Sequence, residues 1–186
     1  MHQVRRRHTP RAFFHDFTLQ GADGEPLSPS YYGLLAERGF PAVASLKGCS
    51  MAVTRGFVDL WGWPEPDSPV SHDVWVALLS TAFGQRRSLH EPLIDHRLHE
   101  SNASGWIPDR SSREFTEPGD GSRPARLLID LVLKPPRLAE RTRSFLQILD
   151  LRGDVVDPVA AQRLRRLLRT NQRHHRQRRR LRQTSA

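Results

Sequence analysis

The sequence contains very little cysteine and lysine. Cys49 is the single cysteine among 186 residues, so no disulfide can form within the chain, which is typical of a reducing compartment. Lysine occurs only at Lys47 and Lys134, so arginine supplies nearly all of the positive charge. No apolar run reaches the roughly 18–20 residues of a membrane-spanning helix, and the basic residues near the start are not followed by the apolar stretch of a secretory signal. These absences favour a cytoplasmic protein.

The positive charge is unevenly distributed along the chain. The formal net charge is +9, but residues 161–186 hold ten arginines and no acid, which leaves −1 for residues 1–160. A nearly neutral body followed by a strongly basic end predicts two different kinds of surface. The charge therefore sets 161–186 apart as an Arg-rich helical or disordered tail. Before it we expect a folded region at 1–110 and a loop and helical extension at 111–160.

The pattern of apolar and turn-forming residues predicts a mixed α/β fold. Strands are expected at Ala12–Leu19, Ser45–Thr54, Arg86–His90 and Leu93–His99, the last two joined through Glu91-Pro92. Helices are expected at Tyr31–Arg38, Phe57–Trp61, Ser71–Phe83, Arg126–Leu133 and Arg137–Leu149, with a last one starting near Pro158. Residues 107–123 are rich in Ser, Pro, Gly and charge, which predicts a loop.

The helix at Ser71–Phe83 carries the clearest signals in the chain. Ser71 suits the N-cap, Asp73 falls in the first turn, apolar residues recur at helical spacing, and Gly84 ends the pattern. An acid in a first turn is favoured by the helix dipole, so Asp73 could be a capping residue only. A carboxylate at that position could also serve as a general base.

Several short motifs follow one another in an order that points to one protein family. They are Gly48–Arg55 (GCSMAVTR), His72-Asp73, Trp75, Glu91-Pro92-Leu93, Arg97, His99, Asn102 and Gly105. This order resembles the second half of family 2 glycosyltransferases, including rhamnosyltransferase-like members. The similarity covers about Phe14 to Trp106.

The resemblance implies a partial GT-A fold that works with a nucleotide-sugar donor, a saccharide or lipid-linked acceptor, a divalent metal (Mg or Mn) and inversion at the anomeric carbon. In such enzymes the acid of the His-Asp pair is the catalytic base, a role that falls here on Asp73. His99 is implied in the metal site, and Arg97 and Asn102 in donor phosphate binding or structure. The implied acceptor contacts are Gly48, Trp61, Trp63, His72 and Trp75.

The sequence also departs from the family pattern. It contains no Asp-x-Asp motif, and the nucleotide-binding first half is absent. His96 and Leu98 stand where the family has Tyr and Gln. We therefore expect an acceptor-side, C-terminal part of such an enzyme at the cytoplasmic face of a membrane, with most metal ligands supplied by the missing half. A decayed fragment with no function of its own is a further reading.

Each of these residues also has a simpler structural interpretation. His99 could be a surface histidine, Arg97 could pair with an acid, and Trp61, Trp63 and Trp75 could belong to the core. Ser50, Ser71 and Ser104 lack a Gly-x-Ser-x-Gly elbow, so a serine hydrolase is not indicated.

The basic tail suggests a second class of function, a non-enzymatic adaptor. Leu164, Leu167 and Leu168 form an apolar stripe among arginines, which is typical of a helix that binds an anionic membrane surface. Nucleic acid is the alternative ligand, through phosphate contacts. The tail has no aromatic residue to stack on bases, which argues against single-strand binding. A solvated terminus remains the simplest interpretation.

Overall fold

The fold is given by a computed structural model that describes residues 9–99 and 123–184. Within these residues it is an α/β fold of four strands and six helices. The strands are β1 (Ala12–Gln20), β2 (Pro26–Ser28), β3 (Met51–Val53) and β4 (Arg86–Arg97). The helices are α1 (Tyr31–Glu37), α2 (Arg55–Trp61), α3 (His72–Ala82), α4 (Arg123–Val132), α5 (Leu138–Leu151) and α6 (Pro158–Thr184). The predicted mixed α/β class is confirmed.

The four strands form one mixed sheet built around β1. β4 runs parallel to β1 along its whole length, from Ala12 opposite Arg86 to Gln20 opposite Arg97. On the other side of β1, β3 pairs antiparallel with its beginning and β2 with its end. Within the described residues β4 therefore has a strand neighbour on one side only.

β4 is one continuous strand, which corrects the prediction of two strands joined at Glu91-Pro92. Its register against β1 shifts between His15 and Asp16, where Pro92 comes opposite Asp16. Proline lacks the N–H that a sheet ladder needs, so it is tolerated at an edge strand or a bulge. A second register shift lies between Asp16 and Thr18. The additional residues of β4 relative to β1 therefore form bulges, and the strand is not interrupted.

The predicted strand at Ser45–Thr54 is wrong over its first half. Gly48–Ser50 form a 3₁₀ turn, and only Met51–Val53 pair as β3. Both the N–H and the hydroxyl of Ser50 donate to the Lys47 carbonyl, each at 3.0 Å. Such local hydrogen bonds of serine compete with strand pairing, and they close the chain into a turn here.

The larger of two apolar cores lies between the sheet and the helices α3 to α6. Phe14 of β1, Leu79 of α3, Leu128 of α4, Phe145 of α5 and Leu168 of α6 are all fully buried in it. All three regions into which we divided the sequence thus contribute to a single core. The apolar stripe of α6 is part of that core: Leu164, Leu167 and Leu168 are 1%, 8% and 0% exposed. The stripe is therefore not available to a membrane surface in this fold, which corrects that part of the tail prediction.

The smaller core lies under α1, at the far end of β1. Phe17 and Leu19 pack there with Tyr31, Leu35 and Phe40. The rings of Phe17 and Tyr31 stack with centroids 4.5 Å apart.

The buried carboxylate of Asp16 links strand β1 to the start of helix α1. No pattern in the sequence indicates this role. Oδ1 of Asp16 accepts hydrogen bonds from the N–H of Phe17 at 2.8 Å and of Tyr32 at 2.9 Å. Its Oδ2 accepts from the hydroxyl of Ser30, the N-cap residue of α1. A buried charge is tolerated only when its lone pairs are satisfied in this way.

Candidate functional site

Three segments that are far apart in the sequence meet at the carboxyl end of β4. They are the turn at Lys47, Gly48 and Cys49, the start of α3 at His72 and Asp73, and the end of β4 at His96; we call these six residues the three-segment cluster. A Cβ atom placed on Gly48 would lie 2.9 Å from Nε2 of His72. The Cys49 sulfur lies 3.8 Å from Nδ1 of His96. The structure thus brings together Gly48, His72 and Asp73, three of the residues that the sequence singles out.

Asp73 sits in the first turn of α3, as predicted, and is half-buried. Its Oδ1 accepts hydrogen bonds from the Ser71 hydroxyl and, at 2.8 Å, from the N–H of Val74. Ser71 occupies the N-cap position but accepts no capping bond from the backbone, and its hydroxyl donates to Asp73. Within the described residues Oδ2 of Asp73 accepts no hydrogen bond. The carboxylate is therefore held through one oxygen and keeps an acceptor for a ligand on the other.

Lys47, Gly48, Asp73 and His96 are partly buried, whereas Cys49 and His72 are more exposed. Desolvation shifts the pKa of three members of the cluster. Burial lowers the pKa of Lys47, while the nearby Cys49 and Asp73 act to raise it. Burial also raises the pKa of the Cys49 thiol, so this thiol stays protonated at neutral pH and is a poor nucleophile. The pKa of His96 is lowered by burial first and by Lys47 and His99 next, which favours the neutral imidazole.

Two of the three tryptophans predicted as acceptor contacts belong to the core. Trp61 is 1% exposed, and its Nε1 donates to Gln85 at 2.8 Å. Trp75 is 4% exposed and stacks on Phe145 with ring centroids 5.2 Å apart. A sugar platform needs a free ring face, so we do not keep Trp61 and Trp75 in the acceptor site. Trp63 is 48% exposed and can offer such a face.

The remaining predicted residues lie at or beyond the end of β4. Arg97 is the last residue of the strand and is exposed, with its guanidinium 3.9 Å from the position of a Cβ on Gly24. His99 is exposed two residues further on, and it is close enough to His96 to influence its pKa. Asn102 lies outside the described residues.

The described side chains near His99 do not by themselves make up a divalent-metal site. In the part of the chain that the structure describes, no group of three or more His, Cys, Asp or Glu side chains is arranged to hold a metal ion. Mg²⁺ and Mn²⁺ prefer several oxygen ligands, and the cluster offers one carboxylate, that of Asp73. The metal prediction rests on the resemblance alone.

Sequence reasoning overlooked three members of the cluster, Lys47, Cys49 and His96. Lys47 carried a usable signal, because it is one of two lysines in an arginine-rich chain and directly precedes Gly48. Cys49 and His96 carried none, since their proximity depends on the 3₁₀ turn that the sequence pattern did not reveal.

Comparison with known proteins identifies no relative: no family model, no curated protein and no solved structure matches the chain. Among the described residues, no helix combines the length and apolarity needed to cross a bilayer.

Proposed function

We propose that this chain is the acceptor-side part of an inverting glycosyltransferase with a GT-A-like fold. It would take part in the transfer of a sugar from a nucleotide-sugar donor to a saccharide or lipid-linked acceptor. The proposal starts from the ordered motifs between Gly48 and Gly105, which resemble family 2 glycosyltransferases.

The observation that carries the proposal is the convergence of the three-segment cluster. Gly48 and the His72-Asp73 pair are more than 20 residues apart in the sequence, yet the chain folds so that Gly48 lies against His72. They meet at the carboxyl end of the parallel pair β1 and β4, which is where ligands bind in open α/β sheets. Capping a helix and closing a turn are local roles, and neither requires Gly48 to contact His72. Their contact therefore supports a shared role in one site.

In this proposal Asp73 is the general base that removes the proton from an acceptor hydroxyl. A sugar alcohol is a poor nucleophile until its proton is withdrawn during attack, and a positioned carboxylate typically contributes about 10²–10⁴-fold to such a step. Oδ1 of Asp73 is fixed by Ser71 and Val74. We assign the proton to Oδ2. The attacking oxygen would then form the new glycosidic bond as the bond from the sugar to the nucleotide diphosphate breaks.

The acceptor itself would lie against Gly48 and His72. The absence of a side chain at Gly48 lets the imidazole of His72 pack directly against the backbone there, since a Cβ would lie 2.9 Å from its Nε2. The imidazole nitrogens can exchange hydrogen bonds with a hydroxyl. Lys47 adds a cation beside Asp73, and Trp63 remains a proposed contact because its ring is exposed. Donor binding is assigned to a polypeptide region that the described residues do not include.

The proposal can be tested by a complementation assay with a matched pair of acids. An extract of source cells that lack this gene supplies nucleotide-sugars, acceptors and other components, and purified chain is added while glycan products are measured by mass spectrometry. We expect the wild type to restore a missing product. Asp73→Asn should restore it at least about 10²-fold more slowly.

Asp67→Asn is the control, because it makes the same chemical change in an exposed loop. It should behave as the wild type. Equal restoration by Asp73→Asn would reject the base role, and an unchanged glycan profile in the deleted cells would reject the function.

A further inference from the structure

The last helix, α6, has two parts with different surroundings. It runs for 27 residues, from Pro158 to Thr184, about 40 Å at 1.5 Å per residue. Its first part is packed against the rest of the protein, because Leu164, Leu167 and Leu168 are buried. In addition, the side-chain amide of Asn171 donates to the Leu133 carbonyl at 3.1 Å. Arg165 adds hydrogen bonds at 2.9 Å to the Leu149 carbonyl and to Asp150. The helix is thus held firmly up to Asn171.

Beyond Asn171 none of the described side chains of the helix, up to Arg178, is fully buried. The backbone remains helical to Thr184. This second part is 13 residues long, about 20 Å. Residues 172–184 include six arginines, two histidines and no acid. Like charges at helical spacing repel one another, which opposes the helical conformation of this part.

One exposed face of α6 carries a regular line of arginines. Arg169, Arg173 and Arg176 are all exposed, and their spacings of four and three residues place them on the same side of the helix. We call them the arginine row. The row crosses from the anchored part onto the projecting part and spans about 10 Å. Guanidinium groups bind phosphate through paired donors, so a row of this kind matches a ligand with regularly repeated phosphates.

Two polyanions offer such phosphates, a nucleic acid and an anionic membrane, and the packing of α6 favours the first. A helix that lies in a bilayer surface inserts an apolar face, and that face of α6 is already buried in the protein core. From Gln172 to Arg180 the sequence contains no apolar residue that could take its place. The major groove of B-form DNA is about 12 Å wide and admits a helix of about 10–12 Å diameter, with phosphates on both sides.

We propose that the projecting part of α6 binds double-stranded DNA, with the arginine row on the phosphates along the major groove. The contact that we propose is directed to the phosphates, and such contacts position a protein on duplex without carrying sequence information. This activity is independent of the glycosyltransferase function proposed above, because it uses none of the three-segment cluster.

The test is a salt titration with a matched pair of charge variants. Fluorescence anisotropy would follow the binding of the full chain to a labelled duplex of about 20 base pairs, close to two helical turns. The first variant replaces Arg169, Arg173 and Arg176 with Gln. The control replaces Arg55, Arg87 and Arg143 with Gln. These three arginines are exposed on other elements, so the control removes the same charge as the first variant. Circular dichroism checks that both variants keep the fold.

The expected result is binding that weakens as salt is raised. Each phosphate contact contributes about 0.9 to the slope of log K against log salt, so the first variant should flatten the slope by about 2.7 while the control keeps it. Equal slopes in the two variants, or no duplex binding at low salt, would overturn the proposal. Binding to phosphatidylserine–phosphatidylcholine vesicles that needs the arginine row, without binding to duplex, would overturn it in favour of a membrane.

Discussion

Helix α3 and strand β4 follow one another in the sequence and contain almost the same number of residues. They differ in burial, because most of α3 is buried and most of β4 is exposed. In α3 the six consecutive residues from Trp75 to Ser80 are buried, whereas in β4 only Arg86 is. The helices α4 and α6 pack against α3, while β4 has a strand neighbour only in β1 within the described residues. Apolar burial therefore stabilises the helical side, and the strand side leaves its groups accessible.

The three-segment cluster lies at the junction of these two regions. α3 contributes His72 and Asp73 from an end that is more exposed than its middle, and β4 contributes His96 from its carboxyl end. A buried helix thus positions the proposed base beside a strand that is largely exposed. This arrangement is what a site needs, because loops and element ends carry ligands best when a stable scaffold holds them.

The sharpest test of the contrast is the same truncation on each element. Leu79 of α3 is 0% exposed and Leu93 of β4 is 53% exposed. Removal of a buried leucine side chain leaves a cavity, so Leu79→Ala should lower the free energy of unfolding by about 2–5 kcal/mol. Leu93→Ala should change it by about 0.5 kcal/mol or less. Urea denaturation measures the free energy of unfolding of both variants. Equal losses would contradict the contrast, because they would mean that Leu93 is as well packed as Leu79.

A second test concerns the polar contacts on the strand side. Asp16→Asn removes the charge from a buried carboxylate with three donors, and we expect a loss of about 1–2 kcal/mol in the free energy of unfolding, because charge-assisted hydrogen bonds exceed neutral ones by that amount. Asp95→Asn is the control, since Asp95 accepts a hydrogen bond from Thr18 at an exposed position. It should cost less than about 0.5 kcal/mol. A larger effect at Asp95 than at Asp16 would contradict the assignment of Asp16 as the link between β1 and α1.

The elements that the sequence predicted best are those whose signals are local. The start of α3 at His72, its end before Gly84, the end of α1 before Gly39 and the start of α6 at Pro158 all follow from caps and breakers that act within a few residues. Gly39 and Gly84 have φ angles of 73° and 64°, a conformation that glycine adopts without strain.

The features that the sequence did not reveal depend on contacts between distant residues. The leucines of α6 have the same pattern whether they bind a membrane or a core, and only the packing of α3 and α4 decides between the two. The role of Asp16 depends on α1, and His96 joins the site because the chain turns at Gly48. Asp73 could be located from its helix, but its neighbours could not.

The third prediction concerns pH and has the smallest effect. Because the pKa of His96 is lowered in the fold, the unfolded chain, with an ordinary value near 6.5, binds the proton more readily. The contribution of His96 to stability is therefore complete above about pH 6.5 and is lost as the pH falls through the lower folded value, at no more than about 1.4 kcal/mol per pH unit. Thermal unfolding between neutral and mildly acidic pH should show a weaker decline in His96→Gln than in the wild type.

The exposed His90 on the same strand supplies the control for this experiment. His90→Gln should keep the decline of the wild type. A decline that persists unchanged in His96→Gln would mean that another group is responsible.

The most direct test of the proposed acceptor site is a chemical-shift titration of the ¹⁵N-labelled chain with a panel of oligosaccharides. We predict that a bound saccharide shifts the amide signals of Lys47 to Cys49, His72, Asp73 and His96 together, and that Gly48→Ala, whose new Cβ meets His72, weakens this response. Saccharide shifts that fall only on other parts of the chain, or no response to any member of the panel, would contradict the account.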